Sequence, residues 1–266
     1  MKKKPIIYQD IPLNYRVVGT GSAVMLLHGF GEDGSIWNDF IPALAANYRV
    51  IVPEIPGSGD SLFLPMEIPG LENYAHAIDA ILQQEAINRF CFIGHSMGGY
   101  IALAFAQMFP QKLYGLGLFH SSAYADDENK KAIRRKGIDF IKENGAQAFL
   151  KTSIPGLFAD TQKNNAAIQS LIQKASRFGP DALVQYYEAM MARPDRAALL
   201  KSAAFPLLFI IGRHDAAVPF EHSMQQVQLP EIAHISILHN SAHMGMLEEK
   251  EKSLGALVNF LQAIHV

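Results

Sequence analysis

The chain has 266 residues, 49% of them apolar, and a formal net charge of −2 at pH 7. That length supports one large core, the composition excludes disorder, and the balanced charge offers no basic field for nucleic acid. No run of about 18 apolar residues and no signal-peptide-like stretch is present, so a cytoplasmic protein without membrane partners is expected.

In chain order, Ile6–Gln9 and Leu13–Val18 read as short strands, with Asp10-Ile11-Pro12 as the turn between them. Val24–Leu27 is a continuous apolar run, as in a strand buried on both faces. Ser35–Ala46 has helical spacing of Ile36, Trp37, Phe40, Ile41 and Leu44. Arg49–Pro53 is a second buried strand, and 54–70, rich in Pro, Gly and Ser, is a loop. Leu71–Glu85 is a helix, Arg89–Ile93 a strand, Ser96–Phe109 a helix and Leu113–Phe119 a strand. This alternation predicts an α/β fold with a mostly parallel sheet of about eight strands flanked by helices. From Tyr124 to about Leu200 no buried strand is visible, and four or so helices are broken at Pro155-Gly156, Gly179-Pro180 and Pro194. The alternation resumes with a strand at 206–211, a helix near 220–227, a strand at 233–238 and a helix at 247–264. The predicted organisation is a core of 1–123 and 201–266 interrupted by a helical insertion, 124–200.

Three features lie outside this pattern. The Lys2-Lys3-Lys4 run reads as a solvated N-terminus. Cys91, the single cysteine, allows no disulfide within the chain and reads as a small buried hydrophobe. Arg134-Arg135-Lys136 reads as a solvated helix face.

The chemistry concentrates at Gly94-His95-Ser96-Met97-Gly98, between a strand and a helix. A serine at the apex of so sharp a turn needs glycines on both sides, and the helix start below it supplies free N–H groups and the positive end of a dipole. A serine hydroxyl is a weak nucleophile and needs a base held by an acid. Asp215, after the strand ending at Ile211, is the expected acid. His243, in the small-residue loop before the last helix, is the expected base, preferred over His239 because His239 comes straight off its strand. The amides of Phe30, flanked by Gly29 and Gly31, and of Met97 are the expected oxyanion donors.

These pieces resemble the α/β-hydrolase family over essentially the whole chain. The resemblance rests on His28-Gly29-Phe30-Gly31, Gly94 to Gly99, Gly212-Arg213-His214-Asp215, Ser241-Ala242-His243 and the loop Pro56 to Ser61, where Glu54 stands in place of the commoner Asp. It implies that the helical insertion caps the active site and that the mechanism uses no cofactor. A small-molecule substrate is expected, with Phe30, His95, Met97, His120, Phe158 and Met244 around it. Phe30, Met97 and Met244 would form an apolar floor favouring small or medium hydrophobic esters. Related reactions on the same triad are carbon–carbon bond hydrolysis, perhydrolysis and a lyase reaction, the last disfavoured by Tyr100 where that lyase has Arg. Ser96 excludes halide- and epoxide-opening relatives, which need Asp as nucleophile. A non-catalytic ligand receptor is the reading from another functional class.

Two other patterns compete. Gly29-Phe30-Gly31-Glu32-Asp33-Gly34 matches the dinucleotide fingerprint, but Glu32 and Asp33 would repel a pyrophosphate at that helix start. His234, His239 and His243 are close in sequence, yet His234 and His239 face opposite ways on one strand and no acid or cysteine nearby completes a ligand set, so no metal is expected.

Overall fold

The computed structural model describes residues 3–264. Lys2 and the last two residues of the predicted core lie outside that range. An eight-stranded sheet runs through the molecule in the order β1-β2-β4-β3-β5-β6-β7-β8. Its strands are β1 (Lys3–Tyr8), β2 (Ile11–Val18), β3 (Ala23–Leu27), β4 (Arg49–Pro53), β5 (Phe90–His95), β6 (Leu113–Phe119), β7 (Leu207–Gly212) and β8 (Ala233–Leu238). β2 is antiparallel to β1 and β4, and all other pairings are parallel. Every residue of β3, β5 and β7 is buried, as their continuous apolar character requires between two helical layers. Cys91 sits in β5 with no exposure, and burial pushes its thiol far up in pKa.

Helices α1 (Ile41–Ala45), α2 (Leu71–Gln84) and α3 (Met97–Met108) connect the strands up to β6. Five helices follow before β7: α4 (Glu128–Asn144), α5 (Ala146–Ser153), α6 (Asn165–Lys174), α7 (Pro180–Ala192) and α8 (Ala197–Ser202). α9 (Phe220–Gln226), α10 (Gly245–Glu248) and α11 (Lys250–Ala263) complete the fold. Within the described residues, no helix is long and apolar enough to cross a membrane.

The structure corrects three predicted boundaries. The first turn is Gln9-Asp10, both left-handed at φ 50° and 62°, which is a two-residue hairpin turn that lets β2 start at Ile11. The helix expected over 35–46 is a 3-10 turn, Gly34–Trp37, followed by α1, because Pro42 near the start of α1 lacks an N–H and its ring blocks a continuous helix. The terminal helix is split at Glu249 (φ −129°, ψ 57°), whose carboxylate is drawn toward the β8 loop and accepts from Asn240 N–H at 2.8 Å and Ser241 Oγ at 2.9 Å.

Strand order reverses between β3 and β5, which lie side by side with Leu27 opposite Gly94. In such sheets the crevice beyond the carboxyl ends of the strands at the reversal is where ligands bind. The loops after β3, β5, β6, β7 and β8 all converge there.

Candidate active site

Ser96 stands between β5 and α3 with φ 50° and ψ −115°, a conformation that L-residues rarely adopt. The flanking glycines explain how the turn survives. A Cβ on Gly94 would run into the Gly98 carbonyl, and one on Gly98 into the carbonyls of Leu27 and His28. The apex is pinned by Ser96 N–H donating to Phe119 O at 2.9 Å and by Ser121 Oγ donating to Ser96 O at 2.8 Å.

Ser96 Oγ lies 2.9 Å from His243 Nε2, and His243 Nδ1 lies 2.8 Å from Asp215 Oδ2. The other Asp215 oxygen accepts from the N–H groups of Ala217 and Val218 at 2.8 and 2.9 Å. Burial alone would raise the Asp215 carboxyl. Attraction to His243 and hydrogen bonds from His120 and His243 outweigh burial and hold it far below the carboxylate range. Such a chain can take a proton from the serine hydroxyl and stabilise the resulting imidazolium. His239 is exposed and is not part of it. The His243 loop is itself tied to the 3-10 turn after α5, with His243 N–H donating to Leu157 O at 2.9 Å. Glu248 accepts from Ala159 and Ala242 N–H at 2.8 and 2.9 Å.

His120, at the end of β6, is fully enclosed, and burial pushes it down to about 4, so the ring is neutral at pH 7. Gly212 N–H lies 3.2 Å from its Nδ1 and Gly245 N–H 3.1 Å from its Nε2, but a neutral ring accepts at only one nitrogen. Asp215 Oδ2 at 3.4 Å from Nδ1 places the proton there, leaving Nε2 to accept from Gly245. His120, Asp215 and His243 are the one group among the described residues with enough close donor atoms for a metal, all within 4.8 Å, but those atoms already engage one another.

A cavity of about 260 Å³ opens above Ser96 and His243, walled by the β3 loop and by α4 to α7 with the 3-10 turn at Ile154–Leu157. Its walls are mainly apolar, including Phe30, Ile133, Leu150, Leu157 and Met190. Phe30 stacks on Tyr187 with ring centres 4.4 Å apart.

Of the residues expected around a substrate, only Phe30 lines this cavity. Met97 and Met244 point into the core with no exposure, so they form no floor. His95 and His120 are sealed beneath the turn by their hydrogen bonds. Phe158 is buried beside a separate surface depression with Asp160 and Glu248. Sequence reasoning also missed groups that do line the cavity. Arg134 does so although its run reads as solvated. It chelates the buried Asp126, Nε to Oδ2 at 2.6 Å, and Arg193 holds the same carboxylate at 2.9 Å. Lys130, one turn earlier on α4, and Glu32 line the cavity too. The available signal for Arg134 was its place one helical turn after Lys130, on the same face of α4.

A family model described as "Alpha/beta hydrolase family" matches residues 24–252, and the chain belongs to that family. It is 29% identical over 246 residues to the dihydrolipoyllysine-residue acetyltransferase component of the acetoin cleaving system of Pseudomonas putida, covering 91% of this chain and 64% of that protein. Thus the chain spans under two thirds of that relative's length. It is 26% identical over 269 residues to 2-hydroxy-6-oxo-6-phenylhexa-2,4-dienoate hydrolase of Comamonas testosteroni, covering 95% of this chain and 92% of the relative. Among solved structures, a thermophilic esterase from Thermogutta terrifontis superposes with a TM-score of 0.93 at 26% identity, covering 100% of both chains.

Proposed function

We propose that the protein is a serine hydrolase that cleaves a small or medium, mainly apolar carboxylic ester through an acyl-enzyme on Ser96. The observation that carries this reading is the continuous chain from Ser96 Oγ through His243 to Asp215, 2.9 and 2.8 Å per link, opening onto a cavity. His243 takes the Ser96 proton as Oγ attacks the ester carbonyl. The Met97 N–H, at the first position of α3 and without an acceptor one turn back, and the Phe30 N–H receive the oxyanion. Asp215 holds the imidazole tautomer and its cation. Proton return from His243 releases the alcohol, and a water activated by the same ring then frees the acid. The helices from α4 to α7 act as the cap that excludes bulk water. The cavity is a little below the roughly 300–1,000 Å³ of ordinary ligand pockets, which supports a small substrate.

The test is a panel of esters varied in acyl chain and alcohol, run beside Ser96→Ala. Turnover by the variant should fall by about four to six orders of magnitude, with loss of fluorophosphonate labelling. Ordinary esterase rates in the variant would refute the assignment, and binding without turnover by the native chain would favour a receptor. The second reading is carbon–carbon bond hydrolysis by the same residues, supported by the dienoate hydrolase relative. Cleavage of a vinylogous 1,5-diketone in preference to every ester tested would select it.

A further inference from the structure

Beneath the site lies a second buried pair that the reaction scheme leaves idle. Glu32, in the loop after β3, is 5% exposed, and His95, the residue before Ser96, is not exposed at all. Glu32 Oε2 accepts from the Gly29 N–H at 2.7 Å and lies 2.9 Å from His95 Nδ1. His95 Nε2 lies 2.9 Å from the His243 carbonyl oxygen. A carbonyl can only accept, so Nε2 carries a hydrogen. At 2.9 Å a hydrogen must also lie between Nδ1 and Oε2, because two facing lone pairs would repel. The pair therefore holds one proton more than a carboxylate and a neutral ring, and a raised His95 with a lowered Glu32 puts it on the ring, as carboxylate and imidazolium.

We infer that Glu32 and His95 are a positioning pair that shares one extra proton, joins the loop carrying the Phe30 amide to the loop carrying His243, and adds no net charge beside the oxyanion. This deepens the serine hydrolase reading and rests on it. Three contacts in series, Gly29 N–H to Glu32 to His95 to His243 O, run from one side of Ser96 to the other. The geometry also explains the cost of losing the proton. A neutral His95 can make only one of its two donations, and Glu32 would stand as a bare negative charge in the cavity wall where negative charge develops in the reaction. Burial opposes both charges. Their mutual attraction and hydrogen bonds overcome it, raising His95 and lowering Glu32.

Other charged or titratable groups face the pair from each packed element. His28 comes from the β3 loop, His120 from the end of β6, Asp215 from the β7 loop and His243 from the β8 loop. Lys130 and Arg134 of α4 line the same cavity. Asp33, next to Glu32, is occupied by Ser35 N–H at 2.9 Å and by Lys174 at 3.9 Å. None of them offers His95 a third acceptor, because both its nitrogens are already committed.

The direct test is the nitrogen NMR of His95 at pH 7 in the intact protein with Ser96→Ala, which does not depend on turnover. Two protonated ring nitrogens are expected, and a single one overturns the inference. The second test is the pH profile of ester hydrolysis. Glu32→Gln keeps an oxygen facing Gly29 and His95 but removes the charge. It should lower kcat on the order of tenfold to a hundredfold with KM within about twofold, and move the alkaline fall in kcat/KM to lower pH. Unchanged alkaline limbs in the native and Glu32→Gln proteins would overturn the pair's role. If Ser96→Ala kept its activity, the serine hydrolase reading would fail while the NMR result stood.

Discussion

Asp215 Oδ2 receives two histidines, His243 at 2.8 Å and His120 at 3.4 Å, while its other oxygen is held by backbone amides. Asp215→Asn keeps an oxygen for those amides but presents an NH₂ to His243 Nδ1. That reverses the imidazole tautomer, and turnover should fall about 10⁴-fold. The NH₂ also faces the buried His120 Nδ1–H, so the denaturation midpoint should fall as well. Turnover within about tenfold of the native rate would mean that His243 does not depend on Asp215. Ser96 and His243 were legible in the sequence because each stands in a local pattern, a strand-to-helix turn and a small-residue loop. The partners of His95 were not legible. Glu32 lies 63 residues away on another strand's loop, and in the sequence it reads only as a charge that repels phosphate.

Helices and strands were legible wherever a pattern met no local exception. β3, β5 and β7 follow from unbroken apolar runs. The helix over 35–46 was misread because apolar spacing was weighed above Pro42, and the last helix because nothing in the sequence reveals that the Glu249 side chain caps another loop. The solvated reading of Arg134 failed for a related reason, since its partner Asp126 precedes α4 and Arg193 follows α7. This arrangement ties the segment before α4 and the segment after α7 to one carboxylate. Asp126→Ala would strand two guanidiniums, one of them 3% exposed, at a cost of about 3 kcal/mol. Urea denaturation should show the loss, and faster hydrogen exchange should appear in α4 before β5.

At the scale of the whole molecule, pH acts through opposed groups. Glu32, Asp33, Asp126 and Asp215 all have carboxyls held below their ordinary range, despite burial that would raise them. Their stabilisation is therefore fully present above the unfolded value of about 4 and drains away as pH falls through the folded values. His95 has the opposite sign. Its raised value contributes stability that is complete below the unfolded value of about 6.5 and lost as pH rises through the folded one. His120, pushed down to about 4, adds stability that is complete above the unfolded value of about 6.5 and lost as pH falls toward 4, so denaturant midpoints should peak near pH 6.5, with the steeper fall on the acid side. A midpoint that rises continuously from pH 7 to pH 3 would contradict these environments.

Cys91 adds a practical consequence. As the only thiol, enclosed in β5 with its ionisation suppressed, it should resist maleimides and mild oxidants while the protein stays folded. The native sequence therefore already serves as a silent background for site-directed spin or fluorophore labels. A cysteine introduced at Ile133, 69% exposed on α4 at the cavity mouth, would be the one reactive handle on the molecule. A probe there could follow how the entrance responds to an occupied site without any further change to the chain.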